Sequence, residues 1–320
     1  MSFKLHQLRY LVALAEGGSI RAAARALGLS QASLTQGLRE LEQHSQLALL
    51  ERHSQGVRLT APGQDLLDHA RRLLAQVQAA EDALALHRGQ SGAQRLSVGV
   101  TPWVAQTLLP PVVLAFRQSW PQVQLELFDG LSKLTYPRLR EGRLDLMIGR
   151  VGPDLLMQGF AVQPLFRYDM TVVARQGHPR AQARSMAELL EEDWVANFAP
   201  SEREAFVHRL FGQHGLQLPD HRLHLAHSAS LMLTLVEQAG MLCVVPWPLV
   251  ETWRRRYTVQ PLHLQERLDQ NVAGVIHRRG ETPPEHAQAF VQMLVEEARR
   301  RAASEEREWR HVFESVDMLP

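Results

Sequence analysis

The stretch "SQASLTQGLRELEQH", residues 30 to 44, sets Gln31, Ser33, Thr35, Gln36 and Arg39 on the polar side of one amphipathic pattern. Glutamine and threonine carry donors and acceptors that match base edges in a major groove. Hydroxyls and arginine suit phosphates. Gathered near the start of a helix, such groups would recognise nucleic acid without covalent chemistry. Taken alone, they also describe an ordinary solvated helix face. The other side carries Leu34, Leu38 and Leu41 at helical spacing. Gly37 lies between them, where glycine costs about 1 kcal/mol relative to alanine in a helix interior. The flanking leucines would hold the helix by packing. The bare backbone at Gly37 would then either leave one DNA contact vacant or admit a phosphate closer.

A second set of residues lies at junctions where a strand runs into a helix. "VGVTPWV" supplies Thr101, Pro102 and Trp103; "VANFAPSERE" supplies Asn197, Phe198 and Ser201; "LAHSAS" supplies His227 and Ser228. Helix starts present free N–H groups that favour anions. Arg150, after the strand "DLMIG", suits a bidentate grip on a carboxylate or sulfonate. Trp103, Phe198 and Trp247 suit contact with an aromatic ring. The chemistry expected is reversible binding of a small organic anion, with an aromatic body as one option. Two of these residues have a simpler role open to them: Ser201 with Glu204 forms a capping box, and Ser228 is a natural N-cap.

Other chemistry finds no support. His221, His224 and His227 alternate faces if the segment is a strand, and no cysteine or acidic cluster joins them, so no metal site is expected. No nucleophile stands with a base, and "GRVGP" lacks the strand and helix context of a dinucleotide fingerprint. The chain is therefore read as non-enzymatic, with no cofactor beyond a small-molecule co-inducer.

These residues need elements to hold them. "LHQLRYLVALAEGG" and "IRAAARAL" read as two short helices, with Ser19 capping the second. Gly28-Leu29 is the turn into a third helix capped by Ser30, which makes a helix-turn-helix. In "LLERHSQGVRLTAPG", Gly56 suggests a small hairpin, or wing. Thr60 then caps a helix of about 27 residues, whose stripe from Leu66 to Leu84 calls for the same helix of a second subunit. "QSGAQ" at 90–94 is a polar hinge. Beyond it strands and helices alternate in two blocks, which implies parallel α/β sheets in two lobes with a cleft between them. The last segment, "EEARRRAASEEREWRHVFESVDMLP", reads as a charged helix whose late cluster, Trp309, Val312 and Phe313, suits a subunit contact.

Composition sets the bounds. Over 320 residues, 45% hydrophobic and 22% charged residues fit a soluble globular chain of two or three domains. The net charge of +1 excludes a generic polyanion binder. Residues 1 to 60 are mildly basic, with Lys4, Arg9, Arg21, Arg25, Arg39, Arg52 and Arg58 against Glu16, Glu40, Glu42 and Glu51. Cys243 is the single cysteine, no apolar run would span a membrane, and no secretory signal is visible, so a cytoplasmic location is expected.

"SIRAAARALGLSQASLTQGLRELE" followed by "LLERHSQGVRLTAPG" resembles the N-terminal domain of LysR-type transcriptional regulators. The matching residues are Ala23-Ala24, Leu27, Ser30-Gln31, Leu41-Glu42, Arg52, Leu59-Thr60 and Gly63. A weaker likeness runs on through "WPQVQLELFDG", "LREGRLDLMIG" and "MLCVVP". The resemblance implies a winged helix-turn-helix over 1–60 and a dimerising linker helix over 61–89. It implies a two-lobed effector domain over 95–298, like a periplasmic binding protein. Lobe I would take about 95–165 and 268–298, lobe II about 166–267, and 299–320 would be an extension. It also implies a bacterial, ligand-responsive regulator acting as a dimer or tetramer on double-stranded DNA, with RNA polymerase as a partner. Gln31, Ala32, Thr35 and Gln36 fall where the family approaches bases, and Arg52, His53 and Arg58 where the wing meets the backbone. Three positions depart from the pattern: Ala32 replaces a usual proline, Gly37 a usual polar residue, and Gln46 the glycine usual at the helix exit. A solute-binding protein is the first rival, but it would need export. An α/β enzyme with an accessory helical domain is the second, but it would need a catalytic constellation.

Overall fold

A computed structural model of the chain describes all residues except 1–2, 54–55, 88–93, 130–131, 153–156, 199–201 and 320. The expected hinge at 90–94 thus lies mostly outside the described residues. Two compact units emerge, 1–94 with 138–143, and 95–137 with 144–320.

In the first unit the serine caps work as their positions suggest. Ser19 Oγ accepts from the Ala22 N–H at 3.2 Å, and Ser30 Oγ from the Ser33 N–H at 3.1 Å. They start α2 (Ile20–Ala26) and α3 (Gln31–Ser45), which follow α1 (Leu5–Gly17). Leu8, Leu11, Leu34, Leu38 and Leu41 are buried together with Leu67 and Ala70 of α4 (Ala61–His87). The wing is the antiparallel pair β1 (Leu50–His53) and β2 (Gly56–Leu59). Glu42 fixes the approach to it, its Oε1 accepting from the N–H groups of Leu49 at 2.9 Å and Leu50 at 3.1 Å. Thr60 Oγ accepts from the Gly63 N–H at 3.1 Å and starts α4. A Cβ on Gly63 would lie 2.1 Å from the Leu49 carbonyl oxygen, so only glycine lets this turn meet the wing.

Gly37 differs from its expected role. It is buried, and a Cβ there would sit 2.5 Å and 2.6 Å from the Cε2 and Cδ2 atoms of Tyr10. The position faces α1, not the exposed polar side. The glycine makes room for an aromatic ring between two helices. Gln46 keeps the usual exit geometry without the usual residue: it is left-handed at φ 54°, the only described non-glycine with positive φ. That conformation costs a residue with a Cβ about 1–2 kcal/mol.

The second unit has two sheets and a small pair. The larger sheet runs β13-β6-β12-β5-β3-β4. Its strands are β3 (Gln94–Val100), β4 (Val123–Asp129), β5 (Leu146–Arg150), β6 (Phe160–Tyr168), β12 (Asn271–Arg278) and β13 (Val316–Met318). The second sheet, β10-β7-β11, joins β7 (Met170–Arg175) to β10 (Cys243–Pro246) and β11 (Val259–Pro261). Beside it, β8 (Trp194–Ala196) and β9 (Leu223–Leu225) run parallel. The helices are α5 (Pro102–Thr107), α6 (Leu109–Ser119), α7 (Ser132–Arg140), α8 (Arg203–Leu210), α9 (Ala229–Ala239), α10 (Trp247–Trp253), α11 (Glu285–Ala302) and α12 (Arg307–Phe313).

The sheets are not the parallel ones expected. β3 pairs parallel to β5, but β12 lies antiparallel to both β5 and β6, and β7 is antiparallel to both its neighbours. The chain leaves the larger sheet at Asp169, between β6 and β7, and returns through β12. A strand that comes back from another lobe has no crossover helix of its own to dictate a parallel direction.

The tail also departs from expectation. Trp309, Val312 and Val316 are buried within this unit, and β13 extends the larger sheet along β6. The late apolar cluster is used inside the chain rather than held out for another subunit.

Two substitutions check these packing arguments by thermal melting. Gly37→Ala is expected to destabilise by about 1–2 kcal/mol, because overlap with Tyr10 outweighs the gain in helix propensity. In a Tyr10→Ala background the same change should turn stabilising. Gln46→Gly should stabilise by about 1 kcal/mol by removing the left-handed strain.

Candidate functional site

The exposed side of α3 carries Gln31, Ala32, Ser33, Gln36 and Arg39, with Thr35 half-buried beside them. Several of these groups are already engaged along the helix. Thr35 Oγ1 donates to the Gln31 carbonyl at 2.7 Å, Ser33 and Ser30 hydroxyls share a bond of 2.8 Å, and Gln36 Nε2 donates to Glu40 Oε1 at 3.1 Å. The side chains of Gln31 and Arg39 carry no partner among the described residues. Arg58 is exposed on β2, opposite Glu51. The side chains of Arg52 and His53 lie outside the described residues. This face offers one free amide, one free guanidinium and hydroxyls that can exchange their partners, which suits a phosphate-bordered groove.

The second unit holds a cavity of about 200 Å³ between the strand ends of its two sheets. Thr101, Pro102, Trp103, Arg150, Asn197 and Phe198 all line it. Its aromatic wall is built by contact. Trp103 meets Phe166 edge-on at 5.2 Å between centroids and Tyr168 at 5.6 Å, and Phe198 meets Phe206 at 4.7 Å. The Trp103 indole N–H and both polar atoms of the Asn197 amide are buried without a hydrogen-bond partner among the described residues. A buried polar group left so costs about 1–3 kcal/mol, which a bound molecule can relieve.

Among the described residues, two guanidiniums, Arg150 and Arg209, share the lining with one carboxylate, Glu202. Burial holds the Arg209 guanidinium below its ordinary value, and the positive charge of Arg150 adds to this; Glu202 and Asp269 act against it. Two like charges kept near each other favour an anion between them. Tyr136 shapes the turn that carries Arg150, donating its phenol to the Arg150 carbonyl and accepting from the Gly152 N–H at 3.1 Å. Burial holds the Tyr168 phenol well above its ordinary value, so it stays neutral.

Three of the expected residues, His227, Ser228 and Trp247, are not brought here. Ser201 lies outside the described residues. His227 is exposed and away from the lining, and Ser228 is spent as the cap of α9, accepting from the Leu231 N–H at 3.1 Å. Trp247 opens α10 and faces a separate groove, its ring 6.3 Å from that of His263. The helix that starts at Pro102, α5, has six residues, so its dipole is small.

Comparison with known proteins is decisive at this point. Residues 5–64 match the family described as "Bacterial regulatory helix-turn-helix protein, lysR family", and residues 89–299 match "LysR substrate binding domain". The chain belongs to the LysR family. Such proteins are ligand-responsive, DNA-binding transcriptional regulators. Among relatives, the "Uncharacterized HTH-type transcriptional regulator YdcI" of Escherichia coli is 30% identical over 262 residues, covering 81% of this chain and 84% of that protein. The "Hydrogen peroxide-inducible genes activator" of Haemophilus influenzae is 32% identical over 178 residues, covering 56% of this chain and 58% of that protein. The solved structure of full-length CbnR with its target DNA shares the fold at a TM-score of 0.59 and 24% identity, covering 92% of this chain and 99% of that one.

In this LysR-family chain the sequence reading missed Arg209, Tyr136, Tyr168, Phe206, Met232 and Trp253 as lining residues. Arg209 had a signal, a basic residue in the last turn of a helix, but that pattern usually marks a solvated end. The aromatic residues had none beyond their apolar spacing.

Arg39→Ala should weaken DNA binding several-fold regardless of sequence and reduce the slope of log affinity against log salt by about 1. Gel shifts at several salt concentrations check this; an unchanged slope would remove Arg39 from the interface.

Proposed function

We propose that this regulator responds to a small organic anion with a flat aromatic body, taken into the cavity of its second unit. The observation that carries the reading is the pair Arg150 and Arg209 beside an aromatic wall whose indole N–H and Asn197 amide have no partner among the described residues. Among the described lining residues one carboxylate, Glu202, stands against the two cations, so an anionic ligand suits the charge of the site. The volume is small beside the roughly 300–1,000 Å³ of drug-sized pockets, which favours a compact ligand. No protein cofactor enters this reading, and the chain acts by binding rather than by turnover.

A redox response is the other reading that a relative suggests. Cys243 argues against it here. It is the single cysteine, it is fully buried on β10, and burial pushes its thiol up to about 12. A thiol that stays protonated at neutral pH is a poor nucleophile toward peroxide.

Binding of the anion would shift the protein between two shapes and so change how it bends or spaces its operator. We place it in the cytoplasm, as a dimer or tetramer on double-stranded DNA in contact with RNA polymerase. No helix among the described residues is long and apolar enough to cross a membrane. Leu73 and Leu84 of α4, about half exposed, support pairing through that helix.

A thermal-shift panel of benzoate, 4-hydroxybenzoate, succinate and choline tests the ligand class. The aromatic monocarboxylates should raise the melting temperature, and choline should not. Arg209→Met should weaken the response roughly thirtyfold, as expected for loss of about 2 kcal/mol from one charged hydrogen bond. A panel in which choline alone stabilises the protein would overturn the anionic assignment. A footprint on DNA beside its own gene, with and without the stabilising anion, tests the regulatory step.

A further inference from the structure

Asp169 is where the second unit is tied together. It is the single residue between β6 of the larger sheet and β7 of the smaller one. Its carbonyl accepts from the Trp247 N–H at 2.9 Å, where α10 begins. Its Oδ1 accepts from Gln270 Nε2 at 2.7 Å, just before the chain returns in β12. Its own N–H donates at 3.0 Å to the carbonyl of Ser315, in the tail.

The tail holds on at two further levels. β13 lies antiparallel to β6 with Val316 opposite Tyr168, and the Leu319 N–H donates to the Leu165 carbonyl at 2.9 Å. Ahead of it α12 packs on α10 and α11, with Trp309 and Val312 buried and the Arg301 guanidinium 4.0 Å from the Trp309 ring centre. The elements gripped are cavity walls. Tyr168 and Met170 flank Asp169, and Leu249 and Trp253 come from α10; all four line the cavity. The family match ends at residue 299, so the whole grip lies beyond it.

We propose that residues 307–318 form a strap that sets the hinge of the effector domain, holding the β6–β7 crossover and α10 in one relation. Any closure of the lobes on a ligand must rotate the backbone near Asp169. The strap ties that backbone to a strand on one side and a helix on the other. It therefore restrains how far the lobes move and sets the share of molecules in the shape that receives the ligand. Tyr168 and Trp253 become residues whose positions depend on a segment that never reaches the cavity. The effect on ligand response rests on the reading of the cavity as the effector site. The restraint itself does not, and it is measurable with no ligand present.

Hydrogen exchange on the full chain tests it. Ladder bonds at the Asp169–Ser315 and Leu165–Leu319 pairs place residue 317 at the hydrogen-bonded position between them. Asp317→Pro removes that donor, and Asp317→Ser keeps it. The proline variant should exchange at least about tenfold faster in peptides covering 165–172 and 247–253. β3 and β5, in the same sheet, should keep their protection, and the serine variant should match the parent chain. Should the proline variant fail to fold, Val312→Ala loosens α12 alone and should give the same pattern at smaller size. Unchanged exchange at the crossover would overturn the strap. So would a uniform rise across all strands, which would make the tail a general stabiliser instead. Failure of every anion in the thermal-shift panel would leave this result standing and sink only the ligand assignment.

Discussion

The hydrogen bonds of Asp169 hold together segments that sequence keeps far apart. One backbone N–H, one carbonyl and one carboxylate connect the outgoing crossover, the start of α10, the approach to β12 and the tail. The cavity depends on this arrangement, because its walls come from both sheets and have no direct covalent reason to face each other. Arg150 ends a strand of the larger sheet, whereas Asn197 follows a strand of the smaller pair. They can serve one ligand only while the crossover keeps its geometry. The continuous apolar core that runs from Leu96 through Trp253 to Val316 surrounds the same point, so packing and hydrogen bonding act in one direction.

The first unit is organised by close approach rather than by a hinge. Its helices are short, and short helices draw their stability from tertiary packing. Tyr10 leans over the bare backbone of Gly37, and the Leu49 carbonyl reaches Gly63. Both contacts are denied to any residue with a Cβ. Between them they set the spacing of α1 to α3 and of the wing to α4, and so fix where the exposed face of α3 stands relative to β2. Recognition of DNA by this unit is thus prepared on its inner side.

How much was legible in the sequence follows from which forces were local. Ser19, Ser30 and Thr60 announced their helices because a cap needs only its next three residues. The leucine spacing of α3 was equally plain. β3 and β5 could be read from apolar runs. β6 was hidden by Pro164, which demotes a strand interior. The structure admits that proline through an irregularity opposite Ala273 and Gly274, beside the Leu165 carbonyl that accepts from the tail. β13, three residues with an aspartate in the centre, carries no readable signal and exists only because β6 offers it an edge. In the cavity, six residues at strand ends were identified because fold logic brings such ends together. Arg209 and Tyr136 were not, since nothing near them in sequence shows which side of a helix faces a ligand. Trp247 misled for a related reason: its ring suggested a contact, while its backbone N–H was what the fold used.

The lateness of β13 has a consequence for how the chain is made. Tyr168 and Val316 are partners 148 positions apart. During synthesis β6 emerges first, and its outer edge stays without this neighbour until the residues up to Met318 have been added. Open strand edges are templates for pairing with other molecules, and pairings of long sequence separation form slowly. The interval before the last strand arrives is therefore when a nascent chain of this protein is most exposed to association with its neighbours.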